Sequence, residues 1–179
     1  MKEAAVRITG GDLRSRVVPG RIPPGVRPTS SKVREALFNM LGQDLTGFSV
    51  LDVFGGSGLM SFEALSRGAE RATLVEKNAK TAAFVRRAAR SLGLADRLEI
   101  RVGAAPVAIG EGSWDLVLLD PPYGESVAAV LASLEGRVRW RLVLEHRRDE
   151  ESPGAGGLEL LERRVYGRTG LSIYQPRSA

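Results

Sequence analysis

An apolar run gives way to a glycine-rich turn at residues 49–58, which read SVLDVFGGSG. The run is long enough for one buried strand, and the glycines after it let the backbone approach a ligand closely. In an open parallel sheet, the ligand crevice lies outside the carboxyl ends of the strands. We therefore expect these residues to form the first strand of an α/β sheet and the loop that holds a cofactor.

Short apolar runs alternate with helical patterns through most of the chain, which is typical of a parallel sheet with helices on both faces. The predicted strands span residues 50–54, 71–76, 98–102, 115–120, 138–145, 158–166 and 171–174. Helices are predicted over residues 32–41, over residues 57–67 and after a cap at Asn78. The last two strands are joined by Gly167-Arg168-Thr169-Gly170, which predicts an antiparallel hairpin at the end of the sheet.

The amino-terminal residues carry the excess positive charge of the chain. Residues 1–34 hold eight basic and two acidic residues, whereas the whole chain has a net charge of +5. Apolar and arginine positions alternate around Gly10-Gly11, which predicts a β-hairpin arm. Arginine forks match phosphate oxygens, so we expect contact with a polyanion, although a solvated terminus would show the same composition. The candidate contacts are Arg7, Arg14, Arg16, Arg21, Arg27 and Arg34.

Glycine loops can hold dinucleotides, nucleotide phosphates or S-adenosylmethionine, and two acids bear on the choice. Glu76 ends the second predicted strand, where an acid accepts the ribose hydroxyls of either NAD or S-adenosylmethionine. Asp52 would repel a pyrophosphate, whereas an anion favours the ammonium and sulfonium groups of S-adenosylmethionine. A helix-capping role is the alternative for Asp52. No Gly-Lys-Ser/Thr triplet follows the loop, which disfavours a phosphate-binding loop.

The tetrapeptide Asp120-Pro121-Pro122-Tyr123 follows an apolar strand and therefore lies on the same rim as the glycine loop. An amine conjugated to a base is a poor nucleophile, because its lone pair is delocalised. The Asp120 carboxylate and the Pro121 carbonyl could accept its two N–H groups, while the prolines stiffen the turn. Tyr123 offers a face on which the base could stack. A plain Pro-Pro turn at the end of a strand is the alternative.

Composition excludes several other chemistries. The chain has no cysteine and one histidine, which rules out disulfides, zinc-thiolate sites and a cysteine nucleophile, and we expect no metal. No stretch approaches the roughly 18 apolar residues of a membrane span, and the first residues lack the apolar core of a signal peptide. We expect a cytoplasmic protein.

The motifs together resemble those of the RsmD-like methyltransferases, which make N2-methylguanosine in bacterial small-subunit ribosomal RNA. The resemblance covers nearly the whole chain, and its most specific parts are Arg27-Pro28-Thr29 and the run from Arg34 to Phe38. It also includes residues 8–11, the glycine loop, residues 63–69, Glu76, residues 120–123 and Tyr166-Gly167.

The resemblance implies a class I S-adenosylmethionine-dependent methyltransferase fold, with a Rossmann-like, mostly parallel, seven-stranded sheet that ends in an antiparallel hairpin. It implies an RNA-binding hairpin arm at residues 1–28 and a methyltransferase domain at residues 29–179. The implied partner is ribosomal RNA or a small-subunit assembly particle, and we expect a monomer. The expected catalytic residues are Asp120, Pro121, Pro122 and Tyr123. The expected cofactor-binding residues are Asp52, Phe54, Gly55, Gly56, Ser57, Gly58, Glu76, Lys77, Gly103 and Ala104.

Two departures from the family pattern affect the cofactor site. The family commonly has alanine at the position of Gly55, and usually has an acid where this chain has Gly103-Ala104-Ala105. Either backbone groups of Gly103 and Ala104 would then recognise the adenine, or the affinity for the cofactor would be weaker. The alternative functions are methylation of another amine, such as adenine N6 or a protein glutamine, an NAD-dependent oxidoreductase, and a non-catalytic RNA-binding module.

Overall fold

The computed structural model describes residues 6–122 and 124–177, which form a seven-stranded sheet with helices on both faces. The strands are β1 (Ser49–Val53), β2 (Arg71–Glu76), β3 (Leu98–Val102), β4 (Trp114–Leu119), β5 (Val138–Arg147), β6 (Leu158–Tyr166) and β7 (Thr169–Pro176). The α-helices are α1 (Ser31–Leu41), α2 (Leu59–Ser66), α3 (Ala79–Leu92) and α4 (Ala128–Ser133). Short 3-10 turns lie at Ala95–Arg97 and Val107–Ile109.

The strand order in the sheet is β3-β2-β1-β4-β5-β7-β6. Strands β1 to β5 are parallel, and β7 runs antiparallel to both of its neighbours. The class I methyltransferase sheet is thereby confirmed. The order reverses between β1 and β4, so a ligand crevice is expected outside the carboxyl ends of these two strands.

Apolar side chains cover both faces of the central strands, as a parallel sheet requires. One core cluster contains Val50, Leu118 and Val143, and the other contains Leu119 and Leu144, so successive residues of a strand alternate between the faces. Helices α1 and α3 begin at side-chain caps, since Ser30 accepts a hydrogen bond from the Val33 N–H and Asn78 accepts two from its helix.

The amino-terminal segment, residues 6–30, packs against the body and forms less regular structure than the predicted hairpin arm. It contains one bridge, between Arg7 and Val17, with hydrogen bonds on either side of it from the Val18 N–H to the Val6 carbonyl and from the Ile8 N–H to the Arg16 carbonyl. The N–H groups of Asp12 and Leu13 donate to Ser66 rather than to a partner strand. Ser15 has a φ of 69°, in the left-handed region. Of the two valines that follow it, Val18 is buried and Val17 is exposed.

Because Ile8 and Val18 belong to the same core cluster as Phe38, the described part of the predicted arm shares the hydrophobic core of the rest of the domain. The predicted boundary at residue 28 therefore does not separate two cores. Residues 1–5 of that prediction lie outside the described residues. No helix in the described ranges is long and apolar enough to cross a membrane.

A buried ion cluster fixes the amino-terminal segment to α1 and α2. The Glu63 carboxylate, fully buried, accepts hydrogen bonds from the guanidinium groups of Arg34 and Arg67. It also accepts from the N–H and hydroxyl of Thr9, at 2.8 and 3.0 Å. Arg34 donates further to the carbonyl of Thr29, and the Arg67 guanidinium stacks on Phe38. Two buried guanidinium groups therefore share one carboxylate, and backbone carbonyls accept further N–H groups of both arginines.

The position of Arg34 corrects one prediction from the sequence. Arg34 was expected to contact a polyanion, but it is 2% exposed and its guanidinium is occupied by Glu63 and by the carbonyls of Arg7 and Thr29. A buried and fully paired guanidinium is not available to a phosphate. Arg34 holds the amino-terminal segment in place instead.

We predict that Glu63→Gln lowers the free energy of unfolding by about 3–5 kcal/mol, because it leaves two buried guanidinium groups without a counter-charge. Urea denaturation of the two proteins measures the difference. The control is Glu70→Gln, which removes an exposed carboxylate just before β2 and should change stability by less than about 0.5 kcal/mol. Equal effects of the two substitutions would contradict this assignment.

Candidate active site

A cavity of about 890 Å³ opens at the carboxyl ends of the parallel strands. Volumes of this order are those of sites for cofactor-sized ligands. It lies at the predicted crevice, because Phe54, Glu76 and Asp120 stand at the ends of β1, β2 and β4. The predicted site residues that line it are Phe54, Gly56, Glu76, Lys77, Gly103, Ala104, Asp120, Pro121 and Pro122, with Arg27 from the polyanion set.

Backbone hydrogen bonds hold the glycine loop against the ends of the first two strands. The Gly55 N–H donates to the Val75 carbonyl at 2.9 Å. The Glu76 carboxylate accepts from the Gly56 N–H at 3.0 Å through one oxygen and from the Asn78 N–H at 2.7 Å through the other. Gly56 has a φ of 48°, a conformation that favours glycine. Glu76 therefore fixes the shape of the loop as well as lining the cavity.

The remaining loop residues support the loop from beneath and do not line the cavity. Ser57 is buried, and a Cβ on Gly58, whose φ is 75°, would lie 2.8 Å from Val85. A Cβ on Gly55 would lie 2.3 Å from the Leu74 Cγ. In this chain, therefore, Leu74 fills the space that an alanine at position 55 would need, and the glycine is not interchangeable with the alanine common in the family.

The structure contradicts a direct cofactor contact for Asp52. Its side chain is buried and does not line the cavity, and one carboxylate oxygen accepts from the N–H of Ser61 at 3.1 Å and from the Ser61 hydroxyl at 2.7 Å. Asp52 thus caps the first turn of α2, which is the role the sequence had left as an alternative. Burial raises the pKa of Asp52 to about 7, against the lowering effect of the Ser61 hydrogen bonds.

Two carboxylates line the cavity where the pairing of β4 with β5 ends: Asp120, just after β4, and Glu145, within β5. Asp120 accepts a hydrogen bond from the Thr29 hydroxyl at 3.4 Å, and Glu145 accepts one from the Thr169 hydroxyl at 3.5 Å. Burial raises the pKa of Asp120 to about 6. Burial, followed by the charge of Asp120, raises the pKa of Glu145 to about 8. Strongly raised carboxyl pKa values in a cavity are typical of functional sites.

Sequence reasoning missed three residues of this site: Glu145, Thr29 and Thr169. Glu145 was predicted to end a strand, and its place at the carboxyl edge of a parallel sheet was the signal that could have identified it. Thr29 belongs to the Arg27-Pro28-Thr29 motif of the family resemblance, but its contact with Asp120, 91 positions away in the chain, has no signal in the sequence. Tyr123, the fourth predicted catalytic residue, lies outside the described residues.

The amino-terminal segment forms one wall of the cavity and carries exposed arginines. Pro28 and Thr29 line both this cavity and a neighbouring one of about 480 Å³, which Arg7 and Arg14 also line. Arg7, Arg14, Arg16, Arg21 and Arg27 are exposed. Five of the six predicted polyanion contacts are thus on the surface.

The charges of the cavity fit S-adenosylmethionine better than a dinucleotide. Glu76 and Asp120 stand where β2 and β4 end, beside the glycine loop, so a pyrophosphate there would be repelled, whereas a sulfonium and an ammonium would be attracted. Of the cations that also line the cavity, Arg27, Lys77 and Arg168, Lys77 is paired with Glu125. The acids that favour S-adenosylmethionine over a pyrophosphate are therefore Glu76 and Asp120, and not Asp52 as the sequence suggested. In the described residues, no three potential metal ligands converge. This sheet and this acidic rim are those of the S-adenosylmethionine-dependent methyltransferases, and the chain is an enzyme of that class.

Comparison with known proteins identifies the family. Residues 6–175 match the family described as conserved hypothetical protein 95, and the chain belongs to this RsmD-like family. YlbH of Bacillus subtilis is 32% identical over 183 residues, covering 96% of this chain and 100% of that protein. The Escherichia coli protein named ribosomal RNA small subunit methyltransferase D is 35% identical over 119 residues. That match covers 66% of this chain and 60% of the relative.

A solved structure of yhhF from Escherichia coli has the same fold over nearly the whole chain. It superposes with a TM-score of 0.86 at 28% identity, covering 98% of this chain and 100% of that one. The resemblance inferred from the motifs is thus confirmed at the level of family and fold.

We predict that Glu76→Gln weakens the binding of S-adenosylhomocysteine about tenfold, measured by isothermal titration calorimetry. Glutamine offers one acceptor where two N–H groups, of Gly56 and Asn78, now meet a carboxylate, so one of them would face an amide donor. Glu70→Gln, at the amino end of β2 and away from the cavity, should bind with unchanged affinity. An unaltered affinity in Glu76→Gln would contradict a role for Glu76 in binding the cofactor.

The raised pKa of Glu145 predicts how stability depends on pH. The carboxyl titrates near 4.5 when unperturbed and near about 8 in the folded protein, so the folded state binds more protons between these values. The free energy of unfolding must therefore fall as the pH rises through that window. We predict that Glu145→Gln removes part of this fall and gains at least about 1 kcal/mol over the wild type between about pH 5 and pH 8. Urea denaturation across this range tests it, and parallel curves would refute it.

Proposed function

We propose that this enzyme transfers the methyl group of S-adenosylmethionine to the exocyclic N2 of a guanine in bacterial small-subunit ribosomal RNA. Membership of the RsmD-like family supports the proposal, as does the name of the Escherichia coli relative. The observation that carries it is the placing of Asp120 and Pro121 on the wall of the cavity that Glu76 and the glycine loop also line. An amine acceptor and a methyl donor site would then share one space.

The chain's own groups can prepare a guanine amine for attack. The Asp120 carboxylate and the Pro121 carbonyl accept the two N–H groups, which pyramidalises the nitrogen and turns its lone pair towards the donor. The Thr29 hydroxyl, 3.4 Å from Asp120 Oδ2, holds the carboxylate in place. When bound, S-adenosylmethionine supplies an activated methyl group. After transfer, the nitrogen releases one proton, and Asp120, whose pKa is raised to about 6, can accept it before passing it to water.

The RNA would approach along the amino-terminal segment. We expect the exposed Arg7, Arg14, Arg16, Arg21 and Arg27 to contact phosphates, because they surround the wall of the cavity and carry no sequence-reading geometry of their own. Tyr123 stays the predicted stacking partner of the base. An assembly particle as substrate, a monomeric enzyme and a cytoplasmic location stay predictions from the sequence.

Other substrates are the main alternative. An adenine or a protein glutamine also presents a conjugated amine, which Asp120 and Pro121 could accept in the same way. A non-catalytic RNA-binding module would need the exposed arginines but would not need Asp120. Product identity and the loss of activity on substitution of Asp120 therefore distinguish these functions.

The test is methyl transfer from tritiated S-adenosylmethionine to small-subunit RNA and to assembled particles, followed by nucleoside analysis. We expect N2-methylguanosine from the wild type and a rate at least about 1000-fold lower from Asp120→Ala, because the variant loses the acceptor that orients the amine. RNA binding by Asp120→Ala, measured by filter retention, should stay within about threefold of the wild type.

Glu70→Gln serves as the matched control for an acidic residue removed from the surface, and should methylate at the wild-type rate. Label recovered as N6-methyladenosine, or only in protein, would refute the proposed substrate. Full activity of Asp120→Ala would refute the proposed site.

A further inference from the structure

Asp120 and Glu145 form an adjacent pair that the transfer of a methyl group does not by itself require. Leu119 and Leu144 are direct partners in the parallel pairing of β4 and β5, and the two acids are the next residue of each strand. Both leucines belong to one core cluster, so the two acids project from the opposite face of the sheet. Neighbouring strands lie about 4.8 Å apart, which brings the two side chains into the cavity side by side.

In the part of the chain that the structure describes, no ion pair neutralises either acid of this pair, although Arg27, Lys77 and Arg168 also line the cavity. Thr29 donates to one oxygen of Asp120 and Thr169 donates to one oxygen of Glu145. Within residues 6–122 and 124–177, neither carboxylate takes part in an ion pair. A half-buried acid beside another acid costs stability, and such an arrangement is typical of groups kept for a ligand. The ligand that fits it presents neighbouring N–H donors.

The bases differ in what lies beside their exocyclic amines. The N6 amine of adenine and the N4 amine of cytosine stand next to ring nitrogens that carry lone pairs. The N2 amine of guanine is flanked on one side by the N1–H, which is a donor. Two adjacent carboxylates therefore match guanine, whereas adenine or cytosine would turn a lone pair towards the second acid.

We propose that Glu145 accepts the N1–H of the target guanine while Asp120 accepts an N–H of its N2 amine, so that Glu145 selects guanine among the bases. This inference rests on the proposed function and adds a specificity-determining residue to it. It accounts for a carboxylate within β5 that neither the cofactor nor the amine needs. Burial and the charge of Asp120 raise the pKa of Glu145 to about 8 in the empty site, and in either protonation state the carboxyl keeps an oxygen that can accept the N1–H.

The test uses a base that keeps the amine and loses the neighbouring donor. The guanosine that the wild type methylates is first mapped, and is then replaced by 2-aminopurine riboside in ligated RNA. 2-Aminopurine retains the amine at C2 but has a lone pair at N1. Because it also lacks the 6-oxygen, 6-thioguanosine serves as the control, since it keeps the N1–H and changes only position 6.

We expect the wild type to prefer guanosine over 2-aminopurine on the order of 100-fold in kcat/KM, and to use 6-thioguanosine nearly as well as guanosine. In Glu145→Gln the preference should narrow to within about fivefold, because the amide can accept from the N1–H of guanine or donate to N1 of 2-aminopurine. Glu70→Gln should keep the wild-type preference. Binding of S-adenosylhomocysteine by Glu145→Gln, unchanged from the wild type, shows that the variant is folded.

The outcomes separate this inference from the function on which it rests. If the wild type methylates no guanine, both are overturned. If it methylates guanine N2 but uses 2-aminopurine equally well, the inference alone is overturned, whatever the variant does. An unchanged 100-fold preference in folded Glu145→Gln also overturns it, because the discrimination then comes from another residue.

Discussion

The buried carboxylate of Glu63 is the interaction on which the site depends. It joins Arg34 of α1, Arg67 at the end of α2 and Thr9 of the amino-terminal segment in one cluster closed to solvent. A buried charge is tolerated only when it is paired, so these three elements cannot separate without exposing the charges or leaving them unpaired. Arg34 continues the chain of contacts to the Thr29 carbonyl, and Thr29 in turn donates to Asp120. The shape of the catalytic wall thus follows from a cluster outside it.

The acids at the strand ends trade stability for function. Asp52, Asp120 and Glu145 all have raised pKa values, with burial as the largest cause in each case. A neutral residue of the same size at each position would cost the folded state less desolvation energy. Only Asp52 has a structural reason for its place, since it caps α2 through Ser61. Asp120 and Glu145 face the cavity, where a ligand with N–H groups can compensate the charge that the protein leaves unpaired.

The fold and the acids Glu76 and Asp120 at the strand ends could be predicted from the sequence, but the contacts of the amino-terminal segment that forms one wall of the cavity could not. Periodicity placed β2, β3 and β6 at their observed bounds, because buried parallel strands have strong local patterns. Glu76 and Asp120 were found since each follows an apolar strand. The roles of Arg34, Asp52 and Thr29 depend on partners distant in the chain or on burial, and neither composition nor spacing reports those. The sequence does not distinguish a buried arginine such as Arg34 from an exposed one, because burial depends on tertiary packing.

The contacts of the amino-terminal segment with residues far along the chain affect the order in which the enzyme folds. This segment is synthesised before every other described residue, yet its partners Glu63 and Asp120 lie 54 and 91 positions after Thr9 and Thr29. Contacts across such separations close late, because the entropy of the intervening loop must be lost first. On the ribosome, the cofactor loop can take shape with β1 and β2 while the opposite side of the cavity is still open. The wall that Thr29 and Asp120 share can therefore close only after β4 has been synthesised.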